Sequence, residues 1–326
     1  MPPRVTRALL AAALAVAGAA ACRRAPPPRV ERVRLYVAPG LPGAVAAELA
    51  RGLRVADPVP VARIEEAEVA WLRDPLEAFA LGDAAAPGSA PEQPGVPADF
   101  LDRRRRFAPV GAVARVIVSS ADGGGDAFAP DDLRELADPH ARGKVAIPRL
   151  DRRDGAMLVA ALELAYGERG TLGWLAQLAG NDPIVAEDDA DALARVVAGG
   201  ARWALTDSLA AGQAARGRPL RITFTDQKGK GCVAIPTALV VLPGAGAAAR
   251  KLSAWLTGPD AEQMLVDRAP GLLPLRAEAT ASDGLIPLSR LSSLSLDWNA
   301  LAEGTQVWER RLAGWPPEVR DAPRQQ

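Results

Sequence analysis

The sequence predicts an α/β protein in which mainly parallel sheets, flanked by helices, are divided between two lobes. Three observations carry that reading. Short apolar, strand-like runs alternate with segments of helical period along most of the chain. The loops between them hold the Gly, Pro and Asp residues that punctuate strand and helix. No internal repeat divides the 326 residues, and a body of about 300 residues suits two such lobes better than one.

The N-terminus lies outside this pattern. Arg4 and Arg7 precede an apolar run over 8–21 that ends in Ala19, Ala20 and Ala21 before Cys22. That order is an n-region, an h-region and a processing site, so residues 1–21 read as a signal peptide. The run is shorter than the roughly 20 residues a spanning helix needs. A cysteine after three small residues suits lipidation at Cys22, which would anchor the chain to a membrane; an ordinary secretory cut that leaves Cys22 as a free thiol is the alternative. Residues 22–30, with Pro26, Pro27 and Pro28, read as an extended tether. With Cys22 lipidated, Cys232 has no partner for an internal disulfide and the core alone must hold the fold.

Beyond the tether the elements follow in order. Residues 33–38 form a strand, Pro39-Gly40 a turn, and 42–52 a helix with Val45, Leu49 and Leu53 on one face. A strand at 69–72 runs through Arg73-Asp74-Pro75 into a short helix, and 83–98, rich in Ala, Gly and Pro, is a loop. A strand at 110–119, a helix at 130–136 and a strand at 145–148 come next. Helical spacing returns at 156–166, 171–178 and 191–198. A strand at 203–205 ends in Thr206-Asp207-Ser208, and a helix spans 209–215. Strands at 220–224 and 233–242 flank a charged turn, and helices at 246–256 and 260–267 follow.

Composition narrows the chemistry. The hydrophobic share is 49%, and 39 basic residues balance 39 acidic ones, so no net field favours nucleic acid. The one histidine, His140, sits in a turn. Neither a Ser-His-Asp hydrolase nor a multi-histidine zinc site assembles from this inventory, and the sequence predicts no catalytic, metal or cofactor site. The seven tryptophans are spread through strand and helix patterns and read as packing residues. In open α/β sheets, ligands sit beyond the carboxyl ends of strands. That rule directs attention to Pro39-Gly40, Arg73-Asp74, 150–155, 187–189 and 206–208.

Several segments in a fixed order resemble the ferric-type (class II) periplasmic solute-binding proteins of ABC importers. They are AEVAWLRDPLEAFAL (67–81), GAVARVIV (111–118), LADPHARGKVAIPRL (136–150), the long run from WALTDS to LVVLPGA (203–245), and AARKLSAWLTGPDAEQMLVDRAPGLLPLR (248–276). The resemblance implies two lobes joined by crossing strands, near residues 115–118 and 222–225, that close over a ligand. Lobe 1 would take 31–115 with 228–283, and lobe 2 would take 116–227 with 284–322. Iron-binding members use adjacent tyrosines, whereas this chain has only Tyr36 and Tyr166 and carries Thr206-Asp207-Ser208-Leu209 at the matching place. Tyrosinate ligation of ferric iron is therefore not expected.

The candidate ligand-binding residues are Asp74, Arg115, Arg152, Arg153, Asp154, Asp188, Thr206, Asp207 and Ser208. Arg152 and Arg153 precede a helix start, where guanidinium and free N–H groups together suit an anion; a solvated loop paired to Asp151 and Asp154 is the alternative. Thr206, Asp207, Ser208 and Asp74 read equally as helix caps. Glu187 and Asp189, beside Asp188, also suit a helix dipole. The expected protein is thus a monomeric, lipid-anchored, periplasm-facing receptor. Its partners would be a small polar solute, an anion or metal chelate among the candidates, and an ABC permease. The alternative is a transport-inactive lipoprotein of the same fold acting as an envelope sensor or interaction module.

Overall fold

A computed structural model describes residues 30–121, 128–282 and 285–316. The predicted signal peptide, Cys22 and nearly all of the tether lie outside the described residues. The chain divides at Glu31 into an N-terminal segment and a body beginning at Arg32; the body is described here. No described helix is long and apolar enough to cross a membrane.

Alternation of side chains starts the fold. In β1 (Arg32–Val37) Val33 and Leu35 are buried while Arg32 and Arg34 face out. β1 pairs in parallel with β2 (Asp57–Pro60) and β3 (Val69–Leu72), and the helix α1 (Gly43–Gly52) covers the sheet with Ala46, Leu49 and Ala50. A short helix α2 (Pro75–Ala80) leaves the end of β3. The next strand, β4 (Ala108–Ser120), joins the two halves of the sheet. Its residues up to Ala114 pair with β9 (Ala234–Val241), and from Arg115 onward it pairs with β7 (Trp203–Asp207) and β8 (Leu220–Phe224). β7 continues in parallel to β5 (Val145–Pro148), which pairs with β6 (Ile184–Ala186).

The expected parallel sheets are present only at the two flanks. β9 runs antiparallel to β3 and β4, and β4 runs antiparallel to β7 and β8. A strand that carries the chain from one half to the other and a strand that carries it back must oppose each other, so the centre is antiparallel. The second crossing also differs from expectation. β8 stays in the second half throughout its pairing with β4, and the return runs through 225–233 into β9.

Helices cover both halves. α3 (Arg153–Gly180) breaks at Gly167, whose φ of 77° and ψ of 162° are not helical, between the two segments of helical period read from the sequence. α4 (Asp189–Val197) packs in the second half, α6 (Ala247–Leu256) and α7 (Pro259–Arg268) in the first, and α5 (Ser208–Ala215), after β7, reaches the first-half core through Leu209. The predicted helix over 130–136 is a 3-10 turn, Leu133–Ala137, opened by a capping box of Asp132 and Glu135. α8 (Trp298–Arg311), absent from the sequence reading, buries Trp298, Leu301, Thr305 and Trp308 on one face against α3.

Two polar features tie the core. The fully buried Trp71 donates its indole N–H to Thr237 Oγ1 at 2.8 Å, and the Thr237 hydroxyl donates in turn to the Val110 carbonyl at 2.5 Å. Between α5 and the loop after α7, the backbones meet without side chains: a Cβ on Gly271 would lie 2.1 Å from the Ser208 carbonyl oxygen, and one on Gly212 would lie 2.5 Å from Gly271 N. Gly271 has a φ of 99°, which side-chain-bearing residues rarely adopt.

Candidate functional site

The carboxyl ends of β1, β3 and β7, the crossing in β4, and the starts of α3 and α4 meet around one cleft of about 290 Å³. Each of the five loops singled out by the strand-end rule supplies a wall residue: Gly40, Arg73 with Asp74, Asp154, Asp188 with Asp189, and Asp207. Val113, Arg115, Met157, Gln213 and Ile235 are among the other residues of the lining.

Local chemistry places most of these carboxylates. Asp74 caps α2, accepting N–H bonds from Leu76 at 2.8 Å and Glu77 at 3.0 Å. Asp188 caps α4 through Asp191 N–H, and Asp207 caps α5 through Ala210 N–H, at 2.8 and 2.7 Å. Three helix starts therefore aim at the cleft, each with its partial positive end offset by a carboxylate.

The arginines are committed to these acids. Arg153 forks onto Asp74, with Nη1 and Nη2 at 2.6 and 2.7 Å from its two oxygens, and Asp74 is only 2% exposed. Arg73 Nη2 lies 2.8 Å from Asp154 Oδ2. At the floor, Arg115 donates to Asp189 Oδ1 at 2.5 Å and both side chains are buried. Burial works against the charge of Arg153, but the bonds and charge of Asp74, with help from Glu77 and Asp154, hold it firmly protonated. Arg115 keeps its proton in the same way, against burial, through Asp189, Asp207 and Asp154. Burial pushes the Asp189 carboxyl up to about 6; Arg115 pulls it down, and Asp207 and Asp154 push it up again.

The other candidates fall into place around this wall. Thr206 and Ser208 belong to the scaffold: Thr206 donates to the Asp189 carbonyl at 2.9 Å, and Ser208 donates to the Gly271 carbonyl at 2.7 Å while accepting from Ala114 N–H. Neither is in the cleft lining. Side chains alternate along an extended segment, so a strand end that aims Asp207 at the cleft turns its neighbours away. Arg152 is exposed and outside the lining, and Arg153 is engaged by Asp74, so the expected anion pocket at 152–153 is not formed. Arg73 and Asp189 lie in loops the strand-end rule singled out but were not among the candidate ligand-binding residues, and Gln213 carried no signal. Asp189 reads in sequence as a dipole partner, and nothing local links it to Arg115, 74 positions away. Tyr36 lies in β1 and Tyr166 in α3, where its hydroxyl donates to Asp226; neither lines the cleft. Among the described residues, no group of three or more His, Cys, Asp or Glu side chains is arranged to hold a metal ion.

Two sheet halves exchanging strands around a polar cleft define a two-lobed binding protein. The chain belongs to the bacterial extracellular solute-binding protein family, whose model matches residues 77–301. Its fold is similar to that of iron-bound HitA from Pseudomonas aeruginosa, with a TM-score of 0.72 at 16% identity over 86% of this chain and 99% of that one. It is likewise similar to the apo ferric ion-binding protein A of Pasteurella haemolytica, with a TM-score of 0.72 at 18% identity over 87% and 97%. The Trichodesmium protein IdiA (FutA), in complex with iron and citrate, gives 0.70 at 16% over 86% and 99%. No curated protein matches the sequence.

Proposed function

We propose that this protein is the extracytoplasmic receptor of an ABC importer, lipid-anchored through Cys22, that captures a small polar solute in the cleft and presents it to a membrane permease. The family and fold support the receptor class. The lobes are proposed as 31–115 with 228–283 and 116–227 with 284–322, closing on the cleft by hinge motion about the crossing strands.

The observation that carries the reading is the wall itself. Asp74, Asp154, Asp188, Asp189 and Asp207 line it against two guanidinium groups, Arg73 and Arg115. Arg73 and Arg115 are each engaged by a carboxylate of the same wall. Asp188 and Asp207 accept backbone N–H bonds, and Asp207 shares the charge of Arg115 with Asp189, to which Arg115 donates. An anion entering this cleft meets more carboxylates than guanidinium groups, whereas a solute bearing an ammonium or amidinium group finds acceptors. The anionic solute expected from Arg152 and Arg153 is replaced by a cationic or zwitterionic one.

A thermal-shift panel on the chain from Arg32 tests this. Small amines and diamines, thiamine, phosphate, sulfate, small carboxylates and ferric citrate are the probes. A cation present at 100 times its Kd is expected to add roughly 2.7 kcal/mol of stability, and Asp207→Ala is expected to remove the shift. A shift from anions alone would overturn the charge assignment, and silence from every probe would overturn the receptor reading. Binding is also expected to weaken as pH falls through about 6, where Asp189, facing Arg115 from β4, Asp154 from α3 and Asp207 from β7, takes up a proton. Protonation removes a negative charge from the wall, so calorimetry at pH 7.5 and 5 should give the tighter Kd at the higher pH.

A further inference from the structure

The dipeptide Arg73-Asp74 ends β3 in the first half of the sheet, and Arg153-Asp154 opens α3 in the second. Across the cleft the two dipeptides pair reciprocally, Asp74 with Arg153 and Arg73 with Asp154. Glu77 adds a longer approach to Arg153 at 3.9 Å. One pair is deep, with Asp74 almost wholly buried and fixed as a helix cap; the other is at the rim, with the Arg73 and Asp154 side chains 42% and 30% exposed.

We infer that this reciprocal pair is a built-in latch that holds the two lobes together over the cleft, so that closure is set by the protein's own charges as well as by solute. The inference rests on the receptor reading above. In a receptor closed only by its ligand, the groups facing each other across the cleft need an intervening molecule to bridge them. Here a guanidinium and a carboxylate on each side meet directly, and the bidentate fork of Arg153 on Asp74 fixes orientation as well as distance. α5 and the loop after α7 meet backbone on backbone at Gly212 and Gly271, Ser208 ties them to the crossing strand at Ala114, and α8 packs on both α2 and α3. The Ser208 bonds hold the crossing strand, whereas the latch joins the loop after β3 to the start of α3. A solute that enters must do so while the latch is parted and must then fit the volume the latch encloses, so the same four residues limit solute size.

The rim pair provides the test, because its partial exposure permits substitution without disturbing the buried cap. Spin labels at Ala44→Cys and Ala198→Cys, both exposed and one in each half, report the lobe separation in the full chain carrying Cys22→Ser. Cys232 is buried, and burial pushes its thiol up to about 12, so it does not compete for label. Without added solute, the parent is expected to show one dominant short distance by double electron–electron resonance. Arg73→Asp alone and Asp154→Arg alone each set like charges face to face and should shift the distribution to longer distance. The double exchange Arg73→Asp with Asp154→Arg restores opposite charges and should bring the short distance back, an outcome that mere disturbance of packing would not give. Raising salt to 1 M, which shortens the screening length to about 3 Å, should lengthen the parent's distance in the same direction. An unchanged distribution in the single variants, or no recovery in the double exchange, would overturn the latch. Neither outcome bears on the thermal-shift panel, so failure of the latch and failure of the receptor reading are separate results.

Discussion

Arg115→Ala is expected to destabilise the folded body by about 3–5 kcal/mol at pH 7.5, because it strands the buried Asp189 carboxylate without its counter-charge. Urea unfolding at pH 7.5 measures this. At pH 5 the loss should be smaller. Asp189 already holds its proton more tightly than an exposed aspartate, and without Arg115 its folded-state affinity for a proton rises further. A carboxyl whose folded pKa lies above its unfolded one costs stability while ionised, and the cost is relieved as pH falls below that folded pKa. The same substitution removes the floor of the cleft, so solute binding should be lost even where the variant remains folded. A loss equal at both pH values would mean that packing of the arginine, and not its charge, is what the site needs.

The second large effect is expected where α5 meets the loop after α7. Gly271→Ala places a methyl group 2.1 Å from the Ser208 carbonyl at a backbone φ of 99°. Neither the loop nor the first turn of α5 can retreat without breaking the Ser208 to Gly271 bond, so the cost is about 3 kcal/mol. Gly217→Ala is the control. Gly217 also has a positive φ, of 81°, but open space around it, so it should lose only about 1 kcal/mol. The variant at 271 should also weaken solute binding, since α5 carries Asp207 at its cap and Gln213 on its cleft side; the variant at 217 should leave binding unchanged.

The parts of this molecule that follow from local rules were legible in the sequence, and those that depend on distant partners were not. β1, β3 and β7 announce themselves by apolar runs that end in Pro-Gly, Asp-Pro and Thr-Asp-Ser, and the strand-end rule then points to the cleft wall. Asp74 and Asp207 were readable as caps because a cap is a contact within three residues. The fork from Arg153 to Asp74 spans 79 positions, so the sequence shows two arginines before a helix, a pattern that also fits an anion site. β2 escaped because Asp-Pro-Val-Pro offers one strand former, Val59, between two prolines; the prolines are tolerated because it lies at the sheet edge, pairing only with β1. The antiparallel centre escaped for a different reason. Alternation of strands and helices encodes the flanks of each lobe, while the direction of a crossing strand is fixed by which lobe the chain must reach next.

The claim on which the rest depends is that the cleft is where solute sits. A crystal structure of the body grown with the panel cation that stabilises it most tests this directly. The prediction is ordered density for that cation within the wall formed by Asp74, Arg115 and Asp207, with its positive group facing Asp207. Density for the cation at another surface, with only solvent between Arg115 and Asp207, would contradict it.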